Sequence, residues 1–267
     1  MADTYDDLLA KGISLAETGN YGDAAAQFRK CVESEPGNAE GYFYLGEALA
    51  EEGKLQDALN EYGKGLKLAP KDVDALTAVG DIYFELGQYK EALTGYKKVA
   101  ELAPDNSDAY VNIGLVYNSL ERTKEAIKSF EKALEIDPEN VFAYNGLGDA
   151  WYGLDEHEKA IAAFKKGVEL DPNDAAAHFN LGELYYDLGE HDEAERECLE
   201  AVRLDPAFSM SYLTLGSLYM DNERVKDAVR YLELYLKYEK SPQAKETIAE
   251  VQAVLEGLRA EIGSTNQ

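Results

Sequence analysis

Residues 141–174 read VFAYNGLGDAWYGLDEHEKAIAAFKKGVELDPND, and the same skeleton returns along the whole chain. Pro172, near the end of this stretch, is one of six prolines spaced 34 residues apart: Pro36, Pro70, Pro104, Pro138, Pro172 and Pro206. Only Pro242 leaves that grid. If each copy ends two residues past its proline, seven copies begin at Tyr5, Ala39, Val73, Ser107, Val141, Ala175 and Ser209. The eighth residue of every copy is glycine: Gly12, Gly46, Gly80, Gly114, Gly148, Gly182 and Gly216. Twelve residues on comes an alanine, Ala24, Ala58, Ala92, Ala126, Ala160, Ala194 or Ala228. Four further on stands a large apolar residue, Phe28, Tyr62, Tyr96, Phe130, Phe164 or Leu232, with Cys198 as the exception. A period of this size describes an array in which no copy can bury its apolar face alone.

The residues Tyr144, Leu147, Gly148, Trp151, Ala160, Phe164 and Pro172 match the pattern W-x2-L-G-x2-Y…A-x3-F…P. The chain therefore resembles tetratricopeptide repeat proteins. The resemblance implies an all-α, right-handed superhelical solenoid of helix-turn-helix repeats over residues 5–38, 39–72, 73–106, 107–140, 141–174, 175–208 and 209–242. Residues 243–262 carry Ile248, Val251, Leu255, Leu258 and Ile262 at helical spacing, which predicts a C-terminal capping helix followed by a disordered tail over 263–267. Only four residues precede the first repeat, whose Leu9 and Ile13 predict some uncovered apolar surface there.

Physical chemistry supports the pattern independently. Glycine inside a helix costs about 1 kcal/mol relative to alanine, so a fixed glycine needs a close helix approach to explain it. The large residues at position eleven, Tyr83, Tyr117, Trp151, Tyr185 and Tyr219, are expected to fill the wedge between helices. Asn38, Asp72, Asn106, Asn140 and Asp174 are expected helix caps. Phe208 breaks that series, and Ser209 or Ser211 is expected to cap instead.

The net charge of −26 opposes binding to nucleic acid and to anionic lipid. The acidic opening MADTYDD and the lack of an apolar run of about 18 residues predict a cytoplasmic protein with no membrane insertion. Cys31 and Cys198 fall at core positions and read as small buried hydrophobes. His157 and His191 share position seventeen of successive repeats, but neighbouring helices about 8–10 Å apart would place both rings on one ion only with difficulty. His178 takes the place of an aromatic residue at position four. The helical glycines match no phosphate loop. No catalytic residue, metal or cofactor is expected, and the chain does not read as an enzyme.

The first helices of stacked repeats line the concave face in the family that the chain resembles. The inner positions there are two, five, six, nine, twelve and thirteen. Candidate peptide-binding residues at them are Glu40, Phe43, Tyr44, Glu47, Asp74, Asp81, Phe84, Asp108, Asn112, Asn145, Asp149, Tyr152, Phe179, Asn180, Glu183 and Tyr186. Phe142 occupies one of these positions too. From the second repeat to the seventh these positions hold no lysine or arginine, whereas Lys64, Lys97, Lys98, Lys128 and Lys132 fall on second helices. Acids interleaved with rings suit a basic or amphipathic peptide, extended or helical. Leu9 with Ile13, Phe43 with Glu47 and Thr77 with Asp81 stand where co-chaperones of this family carry a cationic clamp for carboxylate tails, so that mode is excluded. Asn112 and Asn180 resemble the asparagines by which the repeats of O-linked N-acetylglucosamine transferase grip a peptide backbone, and Asn145 adds to that incomplete ladder. The expectation is a non-enzymatic protein-interaction scaffold. Its alternative is a self-assembling, homo-oligomeric scaffold like the repeat proteins that coat magnetosomes.

Overall fold

The computed structural model describes residues 3–265. Those residues form fifteen α-helices and one short 3-10 turn, with no β-strand among them. They group into two compact units, divided between Pro138 and Glu139. The N-terminal unit holds four helix pairs: α1 (Tyr5–Glu17) with α2 (Tyr21–Ser34), α3 (Ala39–Glu51) with α4 (Leu55–Leu68), α5 (Val73–Glu85) with α6 (Tyr89–Leu102), and α7 (Ser107–Ser119) with α8 (Thr123–Ile136). The C-terminal unit holds α9 (Val141–Tyr152) with α10 (His157–Leu170), α11 (Ala175–Asp187) with α12 (His191–Leu204), and α13 (Ser209–Asp221) with α14 (Val225–Tyr238). A 3-10 turn, Pro242–Ala244, then leads into α15 (Lys245–Thr265). Within each unit the second helix of a pair also packs on the first helix of the next, so the core continues from repeat to repeat.

Helix starts follow from short polar side chains. Asn38 accepts from the Glu40 amide, Asp72 from Ala75, Asn106 from Ala109 and Asn140 from Ala143, while Asp174 accepts from both Ala176 and Ala177. Thr4 forms a reciprocal capping box with Asp7. The expected serine cap of α13 is not made. Ser209 instead donates from Oγ to Glu239 at 2.7 Å, and Ser211 is completely buried. Phe208 stands at the cap position with its ring 5.2 Å from that of Phe179.

The glycine of each pair is explained by one contact. A Cβ at Gly114 would lie 2.5 Å from the ring of Phe130, and at Gly148 it would lie 2.3 Å from Phe164. Gly12, Gly46 and Gly80 face Phe28, Tyr62 and Tyr96 in the same way. The residue four after the fixed alanine therefore lies across the glycine, and the fixed alanines themselves have no exposed surface. Where that residue is Cys198, a Cβ at Gly182 would lie 2.6 Å from its Sγ and also 3.1 Å from its backbone nitrogen, because the small thiol lets α11 and α12 approach more closely. Position eleven packs between helices as expected, with Tyr117, Tyr185 and Tyr219 buried and Tyr83 and Trp151 packed against the core. Its rings lie under cations: Arg122 over Tyr117 at 4.7 Å, Lys159 over Trp151 at 4.2 Å and Arg224 over Tyr219 at 4.3 Å.

The C-terminal helix differs from expectation at both ends. Residues 242–244 wind as the 3-10 turn, so the α-helix starts at Lys245. Residues 263–265, expected in a disordered tail, continue that helix, and residues 266–267 lie outside the described residues. Val251 and Leu255 bury their side chains against Tyr212, Leu232 and Tyr235. No described helix is long and apolar enough to cross a membrane.

Candidate functional site

In the N-terminal unit, α3, α4 and α5 with their connecting turns enclose a groove of about 680 Å³. It brings together five of the residues expected from the sequence: Glu40, Phe43, Tyr44, Glu47 and Asp74. Asn38, Ala39, Tyr62, Ala69, Asp72, Ala75 and Ala78 complete it, and no lysine or arginine lines it. The rings are braced from below. Phe43 stacks on Tyr62 at 6.1 Å, and Tyr44 on Phe28 at 5.3 Å. Gly65 makes room for Phe43, since a Cβ there would lie 2.4 Å from that ring. Glu47 and Asp74 are exposed at the rim, whereas Glu40 accepts a hydrogen bond from the Tyr5 hydroxyl at 3.2 Å. Burial and that nearby carboxylate push the Tyr5 hydroxyl pKa upward, so the phenol remains the donor.

Other expected residues of this unit have structural duties. Asp81 accepts from the buried Tyr96 hydroxyl at 2.6 Å, so its carboxylate holds α6 to α5. Phe84 packs edge-on against Tyr89 at 5.5 Å. Asp108 is exposed and Asn112 half-buried on α7, and neither lines the 680 Å³ groove.

In the C-terminal unit the corresponding face holds a much smaller depression of about 40 Å³, lined by Asp149, Tyr152, Phe164, Asn180, Glu183 and Leu184. Asp149 is reached by solvent at its mouth yet surrounded by protein, and desolvation raises its carboxyl to about 6. Glu183 is raised by desolvation, with Asp187 and Asp149 adding repulsion. Two rings that the sequence offered for stacking are tied instead to the next repeat. The Tyr152 hydroxyl donates to Asp187, and the Tyr186 hydroxyl donates to Asp221 at 2.8 Å. The sequence signal for this ladder is a tyrosine at position twelve of one repeat and an aspartate at position thirteen of the next.

Phe179 is a packing residue, only 8% exposed, which removes it from a ligand-facing role. Asn145 donates weakly to Asp174 at 3.4 Å, and its Oδ1 is buried against Gly167 without a partner. Phe142, by contrast, is 71% exposed and stands out among the large apolar side chains of this unit. Two of the three histidines are occupied individually, whereas His157 keeps a buried Nδ1 without a hydrogen-bond partner. His178 contacts Glu197 at 2.7 Å and the Pro172 carbonyl at 3.3 Å, while His191 contacts Asn222 at 2.9 Å. No group of three metal-ligating side chains converges among the described residues. Burial raises the Cys198 thiol to about 12, so it stays protonated at neutral pH.

Known proteins share this repeat and this geometry. Family models of the tetratricopeptide repeat match residues 9–73, 107–140, 175–208 and 211–242, and a further TPR repeat model matches 80–120 and 154–189. The chain belongs to the tetratricopeptide repeat family. This TPR protein matches no curated protein by sequence. Among solved structures, a tetratricopeptide repeat protein from Parabacteroides merdae is 22% identical with a TM-score of 0.76, over 96% of this chain and 98% of the other. MamA from Desulfovibrio magneticus RS-1 is 28% identical with a TM-score of 0.60, over 65% of this chain and 98% of the other. YrrB, described as a TPR protein with an unusual peptide-binding site, is 25% identical with a TM-score of 0.52, over 69% of this chain and 95% of the other. Repeats of this family indicate a protein–protein interaction scaffold.

Proposed function

We propose that this TPR protein is a non-enzymatic scaffold that holds a basic or amphipathic peptide segment, extended or helical, in the acidic groove of its N-terminal unit. The observation that carries this reading is the 680 Å³ groove with Phe43 and Tyr44 fixed in its wall, carboxylates at its rim and no cation lining it. A lysine or arginine entering it meets Glu47 and Asp74 and can lie over a ring, while aliphatic residues cover Ala75 and Ala78. The similarity to YrrB supports peptide binding as a use of such repeats.

Calorimetric titration with a peptide of alternating lysine and leucine tests it. The double variant Glu47→Lys, Asp74→Lys should weaken binding about tenfold or more while leaving the melting temperature within a few degrees, since neither side chain anchors a helix. Affinity should also fall with added salt, because exposed charges are screened over about 8 Å at physiological ionic strength. Unchanged affinity in the variant, or indifference to salt, would defeat the reading. Self-assembly, in which an end of one copy occupies the groove of another, draws on the same groove. Light scattering across a concentration series separates it: the double variant should then lose an oligomer that the wild type forms.

A further inference from the structure

The N-terminal unit carries a second depression, of about 420 Å³, built by α6, α7 and α8 rather than by the residues of the acidic groove. Its floor is made of buried Ile113, Tyr117 and Ser129, with Ala100 and Tyr110 half-buried beside them. Three exposed lysines stand around it, Lys97, Lys128 and Lys132, and Glu101 is the one acid among the lining residues. Three lysines among nine lining residues is a strong local inversion in a chain with 26 basic residues in 267 and a net charge of −26.

The inversion is specific to this junction between repeats. Lys97, Lys128 and Lys132 occupy position twenty-five of the third repeat and positions twenty-two and twenty-six of the fourth. The same three positions read Arg29, Asn60 and Lys64 at the first junction, and Gly63, Thr94 and Lys98 at the second. In the C-terminal unit they read Lys165, Arg196 and Glu200, then Leu199, Arg230 and Leu234. Only the junction of α6, α7 and α8 sets three cations around one apolar floor. The cations are held where a ligand would meet them. Lys97 lies 5.5 Å from the centre of the Tyr117 ring, and Lys128 and Lys132 are one helical turn apart on α8. Lys132 pairs with Glu135 at 2.8 Å, but an ion pair so exposed contributes little and is readily exchanged.

We infer that this depression is a second docking site, for an acidic peptide segment in which an apolar or aromatic side chain is flanked by aspartates or glutamates. The apolar side chain would cover Ile113 and Tyr117, and the flanking carboxylates would accept charge-assisted hydrogen bonds from the three ammonium groups. Charge complementarity sets the polarity of the partner, opposite to that proposed for the groove of α3, α4 and α5. The protein would thereby join two partners of unlike charge through separate faces of one unit.

The test is fluorescence anisotropy with a labelled peptide carrying one phenylalanine between two pairs of glutamates, added to the full chain. Saturable binding is expected, weakened about tenfold or more by Lys97→Ala with Lys128→Ala and unaffected by Glu47→Lys with Asp74→Lys. A companion peptide with glycine in place of phenylalanine should bind about tenfold more weakly, since the apolar floor would go uncovered. All four substituted side chains are exposed, and a matched circular dichroism melt shows that each variant is folded. Lack of saturable binding, equal affinity for the lysine variant, or equal affinity for the glycine peptide would overturn the site. Loss of binding in the Glu47→Lys, Asp74→Lys variant would do so as well, because the peptide would then be reading the whole unit.

Discussion

Phe130 has no exposed surface, and its ring leaves no room for a side chain at Gly114. Gly114→Val should therefore cost about 1–3 kcal/mol, because a fully enclosed ring can only be moved by disturbing its neighbours. Gly63 makes the opposite case. It stands inside α4 and a Cβ there would have nothing within 4 Å, so Gly63→Ala should stabilise by about 0.5–1 kcal/mol through helix propensity alone. Thermal melts of the two variants check the contrast, and shifts of the same sign would show that burial of the glycine is not what distinguishes them. The close approach at every eighth residue is legible in the sequence, since a recurring glycine in a helix needs a packing cause. Which residue faces the glycine is not. That depends on the direction in which the position-twenty-four side chain leaves the second helix, and direction is not written in a spacing.

At the level of elements, the 34-residue proline grid and the short polar caps place the helices, because both act on the backbone locally. The turn between paired helices carries a demand of its own. Its fifteenth position takes a left-handed conformation in every repeat, supplied by Gly19, Gly53, Gly87 and Gly189 but also by Glu121, Asp155 and Glu223, with φ between 55° and 59°. A non-glycine residue there costs about 1–2 kcal/mol, offset in part by the greater entropy that glycine loses on folding. Glu121→Gly, Asp155→Gly and Glu223→Gly should each raise stability by up to about 1 kcal/mol in denaturant titration, and a loss of stability would mean that these side chains anchor the turn. Among the candidate site residues and their partners, legibility stops where one helix borrows from another. Asp81, Asp187 and Asp221 look free on their own helices, and only the packed helices show tyrosine hydroxyls bound to them. Phe179 departs from its expected role for a similar reason, since its cover comes from Phe208 at the cap position of α13.

Across the whole molecule, 52 acidic residues face 26 basic ones, and compaction brings those carboxylates closer together than they stand in the unfolded chain. Individual groups turn that crowding into a pH dependence. Asp149 titrates at about 6 when folded against 3.8 for its ordinary value, so the folded chain holds its proton more tightly. Stability from this group is complete below the lower value and is lost as pH rises toward the higher one, and Glu183 is shifted in the same direction. Glu239 acts oppositely. Hydrogen bonds from Ser209 and Ser241 lower it to about 2, so its contribution is present above about 4.5 and disappears as pH falls toward 2. The melting temperature should therefore rise as pH is lowered from about 7.5 to about 5.5, when Asp149 and Glu183 take up protons while Glu239 remains charged. Asp149→Asn removes the largest of these acid-stabilised groups and should flatten that rise while raising the melting temperature at about pH 7.5. A wild-type melting temperature that falls over this interval, or a variant whose pH profile runs parallel to the wild type, would show that the enclosed carboxyls of the C-terminal unit are hydrated as well in the folded chain as in the unfolded one.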